Sequence, residues 1–239
     1  MIERTLSSYT SVGGRASALS AVQTRVINQV YLWMTLGLAL TGATAFFVAS
    51  TDSIKQVIFG NQIVFWGLVI AELGLVFVIS GLISRLSAAA ATGLFFLYSA
   101  LNGLTLASIF LVYNLGSIAG VFLITAGTFG VMSLYGITTK TDLTKIGNLL
   151  FMALIGMVIA GLVNIFIGSS VFSLIISVIG VVVFTGLTAY DAQRIKEMSA
   201  AALDGESEGK IAVLGALSLY LNFINLFLSL LRLFGSRDE

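Results

Sequence analysis

The side chains able to do chemistry in this sequence are few, and they sit inside or beside long apolar runs. Glu72 lies midway along the run 63–84, with no cation within one helical turn. Asp191 closes the run 171–191, and Arg194 follows one turn later. The run 211–234 contributes Asn222 and Asn225, three residues apart and so on one helix face. Asn102 stands beside Gly103 inside the run 87–111, and Arg85 follows the run that holds Glu72. An ionisable group in hydrocarbon costs at least about 2.5–3.5 kcal/mol and normally faces a bundle interior or a wet cavity. That places Glu72 in an ion pathway, as a proton- or cation-responsive group and the residue to contact a metal ion, with Asn102 and Asn225 on the same path. A carboxyl hydrogen-bonded between helices, silent in function, is the competing reading. Asp191, Asn222 and Arg85 can meet in a polar cluster joining the second, sixth and seventh runs, a gate at the inner mouth of any pore. Against this stand an Asp191–Arg194 pair in the headgroup region and two asparagines acting only as interhelical glue, worth about 0.6–2 kcal/mol.

Composition narrows the chemistry further. The 239 residues are 58% hydrophobic and only 10% charged, with a net charge of +1. Soluble domains carry about 25% charged residues, so this chain belongs in lipid. Its small net charge argues against a nucleic-acid binder, which needs a concentrated basic face. Histidine and cysteine are absent, which removes imidazole catalysis, thiolate chemistry, disulfides and the usual zinc or haem ligation. Serine proteolysis lacks its base, aspartyl proteolysis lacks a second aspartate in a span, and no Gly-rich Lys-Ser/Thr loop serves a nucleotide. A retinal Schiff base lacks its lysine in the last run. The expectation is therefore no enzyme and no cofactor. A passive or proton-modulated conduit and a regulator without transport both survive.

A helix needs about 20 apolar residues to cross a ~30 Å hydrocarbon core. Seven runs qualify, at 27–50, 63–84, 87–111, 117–137, 149–169, 171–191 and 211–234, so the expected fold is an all-α membrane protein of seven transmembrane helices. The first run is too long for the core of a cleaved signal peptide. Asn114-Leu-Gly-Ser117 and Gly168-Ser-Ser170 mark breaks without charge. Residues 1–24 read as a polar, basic tail, 25–235 as the transmembrane domain and 236–239 as a short charged tail. The stretch 197–209, with Glu197, Asp204, Glu206 and Glu208, reads as a solvated connector. Lys/Arg bias puts the N-terminus in the cytoplasm, with nine basic residues on that side (Arg4 to Lys210) against Lys55, Arg232 and Arg237 on the other. Because two of those three sit at the C-terminus, a re-entrant last segment is the alternative. Gly74 with Gly81, Gly116 with Gly120, Gly127 with Gly130 and Gly156 with Gly161 are expected at close helix contacts. Asn102-Gly103 could mark a broken helix. Tyr113, Tyr135, Tyr190 and Trp66 fit an interfacial belt.

The last third of the chain resembles the Bax inhibitor-1 family of transmembrane proteins. The residues concerned are Phe184-Thr-Gly-Leu-Thr-Ala-Tyr-Asp191-Ala-Gln193-Arg-Ile195 and Ala216-Leu-Ser-Leu-Tyr-Leu-Asn-Phe-Ile-Asn-Leu-Phe227, followed by Leu230-Leu-Arg232. The likeness extends over about residues 25–235, and the brief loops are most similar to a bacterial inner-membrane member. It implies a seven-helix bundle with the last helix central, and a pH-sensitive calcium leak. In that mechanism two aspartates share a proton and an arginine ending the second helix latches the closed state. The first aspartate falls on Asp191, the arginine on Arg85, and the second aspartate on Asn222, which cannot ionise. That leaves one carboxylate of the pair, and a proton response rests on Asp191 or Glu72. The family also implies partners, since some bacterial relatives interact with a membrane-bound protease. The basic tail and the acidic 197–209 stretch would suit such a regulator.

Overall fold

The computed structural model describes residues 2–202 and 204–237, with side chains from Leu19 onward. Met1, Leu203, the side chains of Arg4 and Arg15, and Asp238 and Glu239 of the charged C-terminal tail lie outside the described residues. The helices are α1 (Ile2–Ala49), α2 (Asp52–Phe59), α3 (Gln62–Gly81), α4 (Ala88–Leu106), α5 (Leu115–Thr138), α6 (Thr144–Ile167), α7 (Ser170–Ala200) and α8 (Gly205–Phe234). A 3₁₀ turn, Ala107–Leu111, prolongs α4. All but the short α2 are long and apolar enough to cross a membrane, α1 from Leu19. The fold is thus the expected seven-helix, all-α bundle.

The charge-free breaks form as capped turns. Gly168 takes the left-handed conformation at φ 69° that ends α6, and Ser169 caps α7 by accepting from Phe172 N. Asn114 caps α5 by accepting from Ser117 N at 2.7 Å. The charged stretch 197–209 behaves otherwise. Glu197, Met198 and Ala200 are good helix formers and continue α7, while Glu206 and Glu208 fall in the first turn of α8, where the helix dipole favours them. The connector shrinks to residues 201–204. Two acids of the stretch are engaged: Glu206 Oε1 accepts from Ala88 N at 2.8 Å, and Glu208 pairs with Arg25 at 3.3 Å.

Asp204 caps α8, accepting from Ser207 N at 2.7 Å, and the Ser207 hydrogen bonds hold its carboxyl below the usual aspartate range. A depressed carboxyl stabilises the fold above its ordinary pKa and loses that contribution as pH falls through the lowered value. Amide exchange at Ser207 and Glu208 is therefore expected to accelerate on acidification below about pH 4. Asp204→Asn, which still caps but cannot titrate, should abolish that dependence.

At the centre stands α8, with 67% of its most apolar window buried against none of α6. The helices α1, α4, α5 and α7 pack around it, with α3 leaning chiefly on α4 and α6 on α7. Because α8 is one unbroken helix of 30 residues, the re-entrant alternative is excluded. Lipid tails are as apolar as leucine, so close packing rather than hydrophobic burial holds such a bundle. The glycines at those contacts are not the expected pairs: Gly74, Gly81, Gly120, Gly127, Gly130, Gly156 and Gly161 have open space where a Cβ would stand, and Gly116 meets only Asn114. Close approach occurs instead at Gly136, whose added Cβ would lie 2.1 Å from Ala189 O, and at Gly147 against the Tyr190 ring. Gly103 lies against Thr41 and Thr44 of α1 within an unbroken α4, so it marks a contact rather than a broken helix. Trp66 and Tyr135 are exposed as belt residues should be, whereas Tyr113 is buried and Tyr190 packs inward.

Candidate functional site

Polar side chains gather in two centres on opposite sides of α8. Ser218 and Asn222 stand one turn apart on one face, and Tyr220, about 200° round from Ser218, looks the other way.

The first centre joins α7 to α8. Asp191 Oδ2 accepts from Asn222 Nδ2 and from Ser218 Oγ, both at 2.7 Å. Asp191 and Asn222 are 9% and 5% exposed. Since α7 runs on to Ala200, Asp191 sits about 13 Å short of the helix end. Among the described residues no ion pair joins Asp191 to its expected partner Arg85 or to Arg194; both arginines are exposed, and Arg194 lines the same cavities as Asp191. Arg85 lies in the turn after α3, which meets α8 only lightly, so the expected polar cluster of three reduces to Asp191 and Asn222, with Ser218 added. Ser218 stands one turn before Asn222 in the quoted motif, and that i,i+4 spacing was the signal that could have found it. Gln193, two residues beyond Asp191, pins the α5–α6 connection by accepting from Leu143 N and donating to Thr141 O.

Cavities lie along this centre. One of about 690 Å³ between α6, α7 and α8 is lined by Asn148, Asp191, Arg194, Ser218, Asn222 and Asn225. A smaller one of about 240 Å³, reaching Ser80 of α3, shares Asp191, Arg194 and Ser218 with it. Toward the face where α8 ends, a third of about 660 Å³ shares Ile176 with the first. Asn225 donates to Leu221 O and leaves its side-chain oxygen uncommitted among the described residues.

The second centre joins α3, α4, α8 and α1. Tyr220 Oη donates to Asn102 Oδ1 at 3.0 Å, Asn102 Nδ2 donates to Glu72 Oε2 at 3.0 Å, and Thr105 Oγ1 donates to Glu72 Oε1 at 2.9 Å. The Thr41 hydroxyl, 2.6 Å from Tyr220 Oη, continues the chain to the Ser99 carbonyl. Glu72 thus turns inward from lipid, as the cost of a carboxyl in hydrocarbon demands. Its neighbours, however, present N–H and O–H groups to it, the opposite of what a cation requires. No cluster of three His, Cys, Asp or Glu that could hold a metal exists among the described residues. These hydrogen bonds fasten α3 to α4 and α4 to α8, on the side of α8 away from Asp191.

The sequence matches the family described as "Inhibitor of apoptosis-promoting Bax1" over residues 23–239. The chain belongs to the Bax inhibitor-1 family. It is 54% identical over 211 residues to inner membrane protein YbhL of Escherichia coli (strain K12), covering 87% of this chain and 90% of that protein. A protein of Borreliella burgdorferi is 48% identical over 217 residues, covering 90% and 94%. A membrane protein of Streptococcus pyogenes serotype M6 is 41% identical over 212 residues, covering 88% and 92%. Family membership and seven apolar helices together make the chain an integral membrane protein of the Bax inhibitor-1 type.

Proposed function

We propose that this Bax inhibitor-1 protein is a slow, passive, pH-modulated cation leak, with calcium as the ion, and that it has no catalytic role. The observation that carries this reading is Asp191, a buried carboxyl group lining two cavities that share residues. Ser218 and Asn222 both occupy its Oδ2, and Oδ1 accepts no hydrogen bond from a described residue. Hard oxygen ligands suit Ca²⁺, and with Asp191 protonated in the open state the amide oxygens of Asn222 and Asn225 beside it give the weak, transient contact that conduction needs. The clasp from Asp191 to α8 acts as the gate. Charge-assisted hydrogen bonds are roughly twice as strong as neutral ones, so protonating Asp191 loosens α7 from α8. With asparagine at position 222, one carboxylate senses the proton alone. The relative named as an inner membrane protein and the Lys/Arg bias support a bacterial inner membrane with the N-terminus cytoplasmic.

The test is dye-reported calcium entry into liposomes carrying the purified protein. Entry above the protein-free rate, rising on acidification, is expected. Glu72→Gln should leave it within about twofold, since Glu72 fastens helices off the path. Liposomes that admit no calcium at any pH would instead leave the non-transporting regulator of a membrane protease or other membrane protein.

A further inference from the structure

The face of the bundle where α8 ends holds a basic cavity that neither the gate nor the Glu72 network uses. Its volume is about 660 Å³, and Arg232, Arg237, Tyr113, Asn164, Ser170 and Ser173 line it. Arg237 is carried there by built backbone structure. Asn114 N and Asn114 Nδ2 both donate to Ser236 O at 3.2 Å, Ser236 N donates to Ser117 Oγ at 2.8 Å, and Tyr113 forms an antiparallel bridge with Arg237. Residues after α8 are thereby folded back onto the α4–α5 connection. Arg232 comes from the last turn of α8.

Neither arginine makes an ion pair with a described carboxylate. The one described acid in the connections on this face, Asp52, is taken by Lys55 at 2.7 Å. The positive N-terminal end of α7 begins at Ser170, in the same wall, and adds to the field of the two guanidinium groups. The Tyr113 hydroxyl makes no hydrogen bond with a described residue, so a further donor is free. Opposite this polar wall, Ile165 and Leu174 are 58% and 47% exposed on the surface that lipid covers. Among the described residues the only charged groups lining the cavity are Arg232 and Arg237, both exposed, so the lining favours an anion over a cation. Forked guanidinium donors match the oxygens of phosphate.

We infer that this cavity binds a phosphate-bearing anion, with Arg232 and Arg237 gripping the phosphate oxygens. The apolar wall gives an acyl chain somewhere to lie, so the headgroup of an anionic phospholipid and free phosphate are the two sources of one chemistry. The inference holds whether or not a cation passes Asp191.

Native mass spectrometry of the full chain with equal phosphatidylglycerol and phosphatidylcholine, beside binding of radiolabelled inorganic phosphate, tests it. Preferential retention of phosphatidylglycerol is expected, reduced at least about tenfold in Arg232→Gln/Arg237→Gln at unchanged thermal midpoint. Saturable phosphate binding without lipid preference, lost in the same variant, supports the site with free phosphate as its ligand. Retention equal in both proteins, or binding of neither probe, overturns it. Should the double variant fail to fold, Arg232→Lys and Arg237→Lys keep the charge but lose the fork. Undiminished preference in both would overturn the grip proposed here.

Discussion

Replacing Asn222 by alanine is expected to raise calcium entry at neutral pH by about 10–100-fold. The Asn222 amide donates to Asp191 Oδ2 at 2.7 Å across the α7–α8 contact. A hydrogen bond to a charged group contributes about 1.5–3 kcal/mol, and losing it shifts a closed–open equilibrium by that factor. Ser218 still holds the same oxygen, so the gate loosens rather than disappears. Asn222→Asp, by setting a second carboxylate against the first, should make the response to pH steeper. The readout is the initial rate in liposomes at matched protein content. An Asn222→Ala rate equal to wild type would leave the clasp without a role in gating.

The largest effect on stability is expected at Gly136. An added Cβ would stand 2.1 Å from Ala189 O and 2.9 Å from Ala189 Cα, and backbone cannot yield as the end of a side chain can. Overpacking typically costs about 1–3 kcal/mol, and this contact belongs at the upper end because α5 must move bodily away from α7. Gly136→Ala should therefore lower the thermal midpoint of the purified protein by roughly 5–10 °C. Gly130→Ala, on the same helix with open space around it, is the matched control and should leave the midpoint unchanged. Equal midpoints for the two variants would contradict the packing described for α5 on α7.

How far these features could be read from residues alone differs between elements for physical reasons. Span number followed from apolar length, and the turns at Asn114 and Gly168 followed from residues whose caps are local. The stretch 197–209 misled because its carboxylates suggest solvent. Helix propensity and the α8 dipole outweigh that signal, and partners such as Arg25 and Ala88 N come from distant helices. The glycine pairs within single helices misled for a similar reason. Spacing says which residues share a face, and only the tertiary arrangement says whether that face meets a helix or lipid.

At the site, Asp191 and Asn222 were legible from motif and spacing, and their hydrogen bond is present. Arg85 was placed by its position after the second run and by resemblance, and the turn that carries it leaves it exposed. Glu72 was correctly read as turned inward, but its donors Asn102 and Thr105 come from α4, a pairing that no single-helix pattern shows. Tyr220 was missed because its length, not its spacing, lets it reach Asn102 past the core of α8.

The central claim is that one carboxyl group, on Asp191, both senses the proton and closes the path. Calcium entry measured from pH 5.5 to 8 for wild type beside Asp191→Asn tests it most directly. Wild-type entry should rise on acidification, while Asp191→Asn should be flat across the range. A variant that keeps the wild-type pH dependence would place the sensor elsewhere and contradict the account.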